Sequence, residues 1–569
     1  MFSWRNKAYN ELPAISVRRG ELRRSLKLVT TAWMFGIVWM TCIGGSRMNY
    51  LGRMVGFSDF HFGLLQALPF AATFIQLFAT ILIERSGLRK YQFITCASIH
   101  RIIWIVVAMI PLLLPLPSAT AVWAMLVLIM ISWCVEALAR PAWMSWMGDL
   151  IPKRIRGRYF AARGIITRMI QIPVVLFLAF YASFAIDESR PITAADQPLL
   201  IWSLSAIFAV AGLFGLVDIL LFFRIREVIR TRHDGLRTPA VQVFVKPRYR
   251  KSPLYPLAYL ASMGREFVLD PLRDYAFRRY VIYGMTITFS MAVAGQFFYR
   301  HLLESVGLGP IGTDLLFMVI GPIVAMFASR VWGRLIDAWG RRPVLIFATG
   351  FTVFSVTPYF FASSQTPNPA WLVGLLNGMF GAIGGLFGQD WSSLLTGYPL
   401  GAWLIMTLSV SFGGCGWTGV MLAQNTIILG FADGRGRSRY VAASSLLISL
   451  GGMAGWVGGV VAESLSHFSH DANPIHLGPF LWNNWHAVFL LSFLARAAAL
   501  LLLGKLPDPG SGSAAAMVRA MGANVYHGVF SRMFYPLRLI GWQKRSTEVI
   551  AEAGDSQDDQ HDQQRRGAA

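Results

Sequence analysis

An all-α protein that crosses a membrane many times is the fold class this sequence predicts, with twelve spans arranged as two repeated halves. Three observations predict it. The 569 residues are 55% hydrophobic and only 14% charged, with a mean hydropathy of +0.51, so soluble domains of this total size could not be covered with charge. Apolar runs of about 20 residues recur along the chain, the length that carries a helix across a bilayer core. Lys and Arg are confined to alternate connections between those runs, as the positive-inside rule requires.

Residues 1–27 form a basic tail. The first apolar run begins near Leu28; it is long and lacks a clear small-residue cleavage site, so it is expected to be the first span rather than a cleavable signal. Spans of the first half, 28–223, are expected near 28–50, 60–83, 91–114, 119–147, 159–185 and 198–223. Basic turns follow the second span, "ERSGLRK" (84–90), and the fourth, "PKRIRGR" (152–158). The connection 224–276 is again basic: thirteen Lys and Arg face five acids between Arg224 and Arg279. Its "KPRYRK" (246–251) suits anionic lipid headgroups, although ordinary positive-inside charge accounts for it as well. The second half, 277–504, is expected to span near 277–302, 312–332, 343–363, 401–430, 440–465 and 481–504. Between Pro343 and Gly434 there is no Lys or Arg. Both termini are therefore expected in the cytoplasm. Within the tail 505–569, residues 515–543 interleave apolar side chains with Arg and His, a pattern for an interfacial amphipathic helix. Residues 546–569 are polar and expected to be disordered. The net charge of +22 thus follows membrane topology, and nucleic acid is not an expected partner.

The halves repeat. "LIERSGLRK" (82–90) aligns with "LIDAWGRRP" (335–343) at an offset of 253, and "RGRYFAAR" (156–163) with "RSRYVAAS" (437–444) at 281. The second half therefore carries about 28 extra residues between its third and fourth spans, near 365–395. One added span would put "GRGRSR" (434–439) on the wrong side, and two need about 40 residues. A Gly-rich re-entrant or interfacial segment on the outer side is expected; a misjudged pair of adjacent spans is the alternative.

"GRLIDAWGRRP" (333–343) resembles the loop signature of the major facilitator superfamily, G-x-L-x-D-x-x-G-R-[RK], at Gly333, Leu335, Asp337, Gly340, Arg341 and Arg342. The first half holds a worn copy: Glu84, Arg85, Gly87 and Arg89, with Thr80 and Leu88 where the signature has Gly and Arg. The resemblance covers about residues 28–504. It implies two six-helix bundles around a central cavity that rock between access states, with these residues as a gating motif. A carboxylate such as Asp337 can pair with arginines in one state and separate in the other, biasing the equilibrium.

Charges inside spans are costly, about 2.5–3.5 kcal/mol each at the bilayer centre. Arg101, Glu136, Arg140 and Arg168 lie at comparable depths in spans 3, 4 and 5, and Glu136 and Arg140 share one helix face at i, i+4. At the two offsets they map to Phe354, Trp417, Met421 and Ser449, so the second half replaces every one of them. That asymmetry favours a functional role over a purely architectural one, and three Arg against one Glu favours an anionic or zwitterionic solute. A structural ion-pair cluster tying spans 3, 4 and 5 together remains open, as does proton coupling through Glu136 or His100. Arg47 is expected to snorkel or to line an outer vestibule. Gln296, Trp417, Gln424 and Asn425 are the second half's candidates for the cavity wall. "GGMAGWVGG" (451–459) resembles a small-residue helix-packing run.

No catalytic motif, Walker loop or metal-ligating constellation is found, and no cofactor or enzyme activity is expected. Cys42, Cys96, Cys134 and Cys415 fall in spans as small buried residues. The sequence thus describes a multi-pass secondary transporter, by resemblance of a bacterial inner membrane, acting as a monomer by symport or antiport. It would move a small organic solute by alternating access, coupled to a proton or other ion. A drug-type exporter, or a non-transporting receptor or scaffold with the same fold, are the alternatives. A lipid-modifying enzyme would need an interfacial Asp, His or Ser cluster, which is not seen.

Overall fold

The computed structural model describes residues 19–76, 78–79, 89–151, 153–185, 198–225, 269–386, 397–431, 437–468, 475–477 and 480–507, with single positions at 262, 264, 265, 388, 390 and 395. Most of the N-terminal tail, nearly all of the connection 224–276, the first-half turn at Glu84, Arg85 and Gly87, and the C-terminal tail from 508 lie outside them. The first half is built from α1 (Arg19–Ile43), α2 (Ser46–Val55), α3 (Asp59–Ala72), α4 (Arg89–Leu113), α5 (Ala119–Leu150), α6 (Lys153–Ala185) and α7 (Pro198–Leu221). In the second half come α8 (Tyr275–Arg300), α9 (Gly309–Trp339), α10 (Arg341–Val356), α11 (Ala370–Leu386) and α12 (Leu400–Gly430). They are followed by α13 (Arg437–Met453), α14 (Gly455–Ser466) and α15 (Asn484–Leu502). Among the described residues, eleven helices are long and apolar enough to cross a membrane, with α13 and α14 counting as one. The remaining expected span is α3, 14 residues continued by a 3-10 turn at Thr73–Ile75.

Local chemistry sets the helix boundaries. Ser118 caps α5 by accepting from the Ala121 amide at 3.2 Å, and Asp274 caps α8 by accepting from Ala276 and Phe277. Asn483 does the same for α15, supplying acceptors for amides that have no intrahelical partner. Between α9 and α10 the chain reverses at Gly340, with φ +90° and ψ 178°, a region open essentially to glycine alone.

Each half buries its own core. In the first half Trp39, Trp104, Phe208 and Phe62 anchor one cluster; in the second, Phe297, Tyr359 and Phe489 anchor another. The halves meet where α3 crosses α14. A Cβ on Gly63 would lie 2.7 Å from the Gly459 Cα, and one on Gly455 3.1 Å from the Gly63 carbonyl. The opposite glycines of the same run, Gly451 and Gly458, lie against the α8 backbone at Met285 and Val293. The sequence "GGMAGWVGG" is therefore a two-sided packing strip, which lets backbones approach where a hydrophobic drive between helices is lacking.

The surplus between the third and fourth spans of the second half is one 17-residue helix, α11. Only Gly384 in it is buried, and Trp371 and Leu386 are 70% and 83% exposed. A short antiparallel hairpin, Ile475–Leu477 with Phe480–Trp482, precedes α15; the helical pattern of the sequence did not announce it.

Candidate substrate cavity

A cavity of about 970 Å³ lies between the halves. Its wall comes mostly from α1, α3, α4, α5, α6 and α7, with Gly295, Gln296 and Tyr299 of α8 closing it on the second-half side. Arg101, Glu136, Arg140, Arg168, His100 and Gln296, all expected from the sequence, line it. So do two charged residues that the sequence pattern did not single out, Asp218 and Arg163.

Arg101 makes its ion pair with Asp218 of α7. Its Nη2 lies 3.5 Å from Asp218 Oδ2, and its guanidinium sits 3.4 Å over the Trp39 ring. Two glycines make the room. A Cβ on Gly215 would be 2.4 Å from Arg101 Cδ, and one on Gly36 2.6 Å from Asp218 Oδ2. The pair therefore ties α4 to α7 and α1. Among the described residues, Asp218 Oδ1 and Arg101 Nε have no hydrogen-bond partner, so the site holds polar capacity that these side chains do not use.

Glu136 pairs with Arg140 on the next turn at 3.8 Å, with the Arg140 side chain 59% exposed; such a pair constrains little. Arg163 is buried and stands 4.7 Å from the Trp33 ring and 5.5 Å from the Trp143 ring, within cation–π range. Arg168 donates to the Gln171 amide oxygen, and no carboxylate lies within ion-pair distance of it among the described residues. His100 is buried against Ser132, whose hydroxyl lies 2.5 Å and whose carbonyl lies 3.0 Å from Nδ1. Gln296 donates to Gln66 Oε1 at 3.0 Å, a contact between the halves.

The other second-half candidates lie elsewhere. Trp417 packs on Arg496 at 5.4 Å, the Gln424 carbonyl accepts from the Tyr280 hydroxyl at 3.4 Å, and Asn425 is exposed; none of the three lines the cavity. In the loop motif, Arg342 donates to the Leu503 and Gly504 carbonyls at 3.2 and 2.6 Å, pinning the turn to the end of α15. Arg341 opens α10, Gly333 has open space beside it, and Asp337 is exposed with no ion pair among the described residues. Arg89 of the first-half copy donates to Ser145.

One end of the cavity is sealed. Arg47 does not snorkel: it is fully buried, and its Nη1 lies 2.5 Å from Asp314 Oδ2 across the halves. The Ser46 hydroxyl and amide also donate to Asp314, at 2.9 and 3.2 Å. Beside this, Arg300 pairs with Asp59, which also accepts from Asn484 and the Trp485 indole, while Arg53 reaches Glu304 at 3.3 Å. Among the described residues, the ion pairs that join the halves all lie toward this end.

The missed residues had weak signals. Asp218 is a lone acid in an otherwise apolar run, the pattern that marks a functional intramembrane residue. Arg163 lies near the start of the expected span 159–185, apart from the deeper charges, but α6 begins ten residues earlier at Lys153. No pattern along the chain pairs Arg47 with Asp314, 267 residues away.

The profile of the Major Facilitator Superfamily matches residues 28–399. The chain belongs to that superfamily. Solved structures of the superfamily share its fold at low identity. The xylose transporter XylE from E. coli, in an inward open conformation, has a TM-score of 0.54 and 14% identity, over 86% of this chain and 98% of that one. The nucleoside transporter NupG has a TM-score of 0.51 and 10% identity, over 85% and 98%. A bacterial homologue of the human lysosomal transporter Spinster, inward-facing and unoccupied, has a TM-score of 0.50 and 15% identity, over 86% and 95%. No curated relative matches the chain in sequence. As a superfamily member with eleven helices long enough to span a bilayer, this is a multi-pass membrane transport protein. Among its described residues no cluster of His, Cys, Asp and Glu could hold a metal ion.

Proposed function

We propose that this superfamily member is a secondary active transporter of a small organic anion, working by alternating access. The observation that carries the reading is the charge of the cavity wall, where four arginines face two carboxylates. Arg101 pairs with Asp218 and Arg140 with Glu136. Arg168 meets only a neutral amide, which leaves its planar fork suited to a carboxylate or phosphate of the solute. A cationic drug is disfavoured because the rings that would attract it, Trp39, Trp33 and Trp143, already carry the Arg101 and Arg163 guanidinium groups. Trp104 and Trp133 also line the wall and favour a solute with an apolar body.

The charge pattern of the connections supports a bacterial inner-membrane protein with both termini in the cytoplasm. In that orientation the Arg47–Asp314 end is periplasmic and the described state is closed outward. Glu136 is proposed as the proton-coupling group, because it lines the cavity and Arg140, its ion-pair partner among the described residues, is exposed; Asp218 is the second carboxylate able to serve. The exposed apolar residues of the spans face lipid, and a monomer satisfies the cavity. Solute flux into proteoliposomes tests the proposal. Organic anions should exchange while neutral sugars and bulky cations do not, Arg168→Gln should raise KM, and Glu136→Gln should uncouple flux from a pH gradient while leaving counterflow. Stabilisation and uptake of bulky cations alone would overturn it.

A further inference from the structure

The two halves each bury a guanidinium group at the same place in the fold, but from different helices. α7 ends in a 3-10 turn at Phe222–Arg224 and α15 in one at Leu503–Lys505, so an offset of 281 superposes the ends of these equivalent helices. The same offset carries Gly215 onto Arg496. Gly215 is the residue against which the Arg101 side chain lies in the first half. At the position equivalent to Arg101 the second half has Phe354 on α10. In the first half, then, the arginine comes from the third span and the sixth supplies a glycine; in the second half the last span itself supplies the arginine. Both guanidinium groups stand near an aromatic of their half's first helix, Arg101 over Trp39 and Arg496 5.7 Å from the Phe298 ring.

The two differ in what neutralises them. Arg101 has Asp218. Arg496 is 2% exposed, and its partners are the Thr352 carbonyl at 2.7 Å and the Ser355 hydroxyl at 2.9 Å. Its Nε has no partner, and no carboxylate lies within ion-pair distance among the described residues. A buried cation held only by neutral acceptors is costly and points to an anion that arrives from outside the side-chain network. Trp417 of α12, itself partly exposed, lies 5.4 Å from the guanidinium and stands where the offset places the equivalent of cavity-lining Glu136.

We propose that Arg496 is the second half's anion-binding residue, covered by Trp417 in this conformation and uncovered to meet the solute's anionic group when the halves close around it. This rests on the reading of the cavity as an anion site. It makes recognition two-sided, with Arg168 in one half and Arg496 in the other.

Purified protein melted with and without inorganic phosphate or succinate tests it. Wild type should melt higher with one of these anions, and Arg168→Gln should shrink the rise. Arg496→Met keeps the volume and removes the charge, so it should melt at or above wild type without anion and lose the anion-dependent rise. Arg496→Lys should retain part of it, and Trp417→Ala should bring saturation at lower anion concentration. If Arg496→Met melts lower and the rise persists, Arg496 is a structural pin between α15 and α10 and the inference is overturned while the anion reading stands. A rise of wild-type size in Arg496→Met overturns it equally. Failure of wild type to respond to either anion removes the anion reading itself.

Discussion

Replacing Asp314 by Asn should swing the protein toward the state in which the sealed end is open. Asp314 and Arg47 are both 0% exposed and lie 2.5 Å apart, one in each half. Asp314 also takes both Ser46 donors, and Gly45 makes the fit possible. A Cβ there would lie 2.7 Å from Asp314 Oδ1, and its φ of +70° is a left-handed value. Asn keeps the shape and one acceptor but leaves the Arg47 cation buried without a counter-charge. Breaking a buried pair in this way costs about 3–5 kcal/mol. The penalty falls on the sealed state, because in the other state the same arginine is hydrated. At about 1.4 kcal/mol per tenfold, the ratio of sealed to open molecules should drop by a factor of roughly 10² to 4 × 10³. Spin labels at Thr120 and Phe468, both exposed, in a background without the four native cysteines, read the separation by pulsed dipolar spectroscopy. A distance distribution in Asp314→Asn that matches wild type would refute the latch. The double replacement Arg47→Met with Asp314→Leu, which removes both charges, should return the sealed population.

Further outcomes follow from the same contacts. Gly63→Val adds methyl groups at a crossing where even a Cβ would lie 2.7 Å from the Gly459 Cα; it should pry α3 from α14 and lengthen the same label separation. Asp218→Asn leaves Arg101 buried beside Trp39 and should lower the melting temperature, by about 3–5 kcal/mol of stability if the pair is fully desolvated. The double variant Asp218→Asn with Arg101→Met should recover most of that loss, and a simple sum of the two single effects in this cycle would deny the coupling. Gly340→Ala forces a side chain into a glycine-only backbone region at a cost of about 1–3 kcal/mol, seen as earlier melting, while the neighbouring Gly333→Ala, with open space around it, should cost no more than a few tenths.

Span positions were legible along the chain because a helix in lipid must be apolar for its whole length and must satisfy its own backbone; both properties are local. The loop motif and the repeat were legible for a related reason, since each is a short string recurring at a fixed place. The same locality misled at the charged residues. Depth counted along a helix put Arg101, Glu136, Arg140 and Arg168 at one level, and they do share one cavity. Depth does not give azimuth, however, and the ion pair that Arg101 makes is with Asp218 on α7.

The sequence by itself determined a two-half, many-span membrane protein, because composition, period and charge alternation act residue by residue, while its loop motif carried the resemblance to the major facilitator superfamily. Only the tertiary structure decided which charges neutralise one another, which end is closed, and that Arg496 has no acid beside it among the described residues. Those facts depend on helix rotation and on contacts between halves more than 200 residues apart. There, a glycine such as Gly215 or Gly36 decides whether a guanidinium or a carboxylate can fit at all.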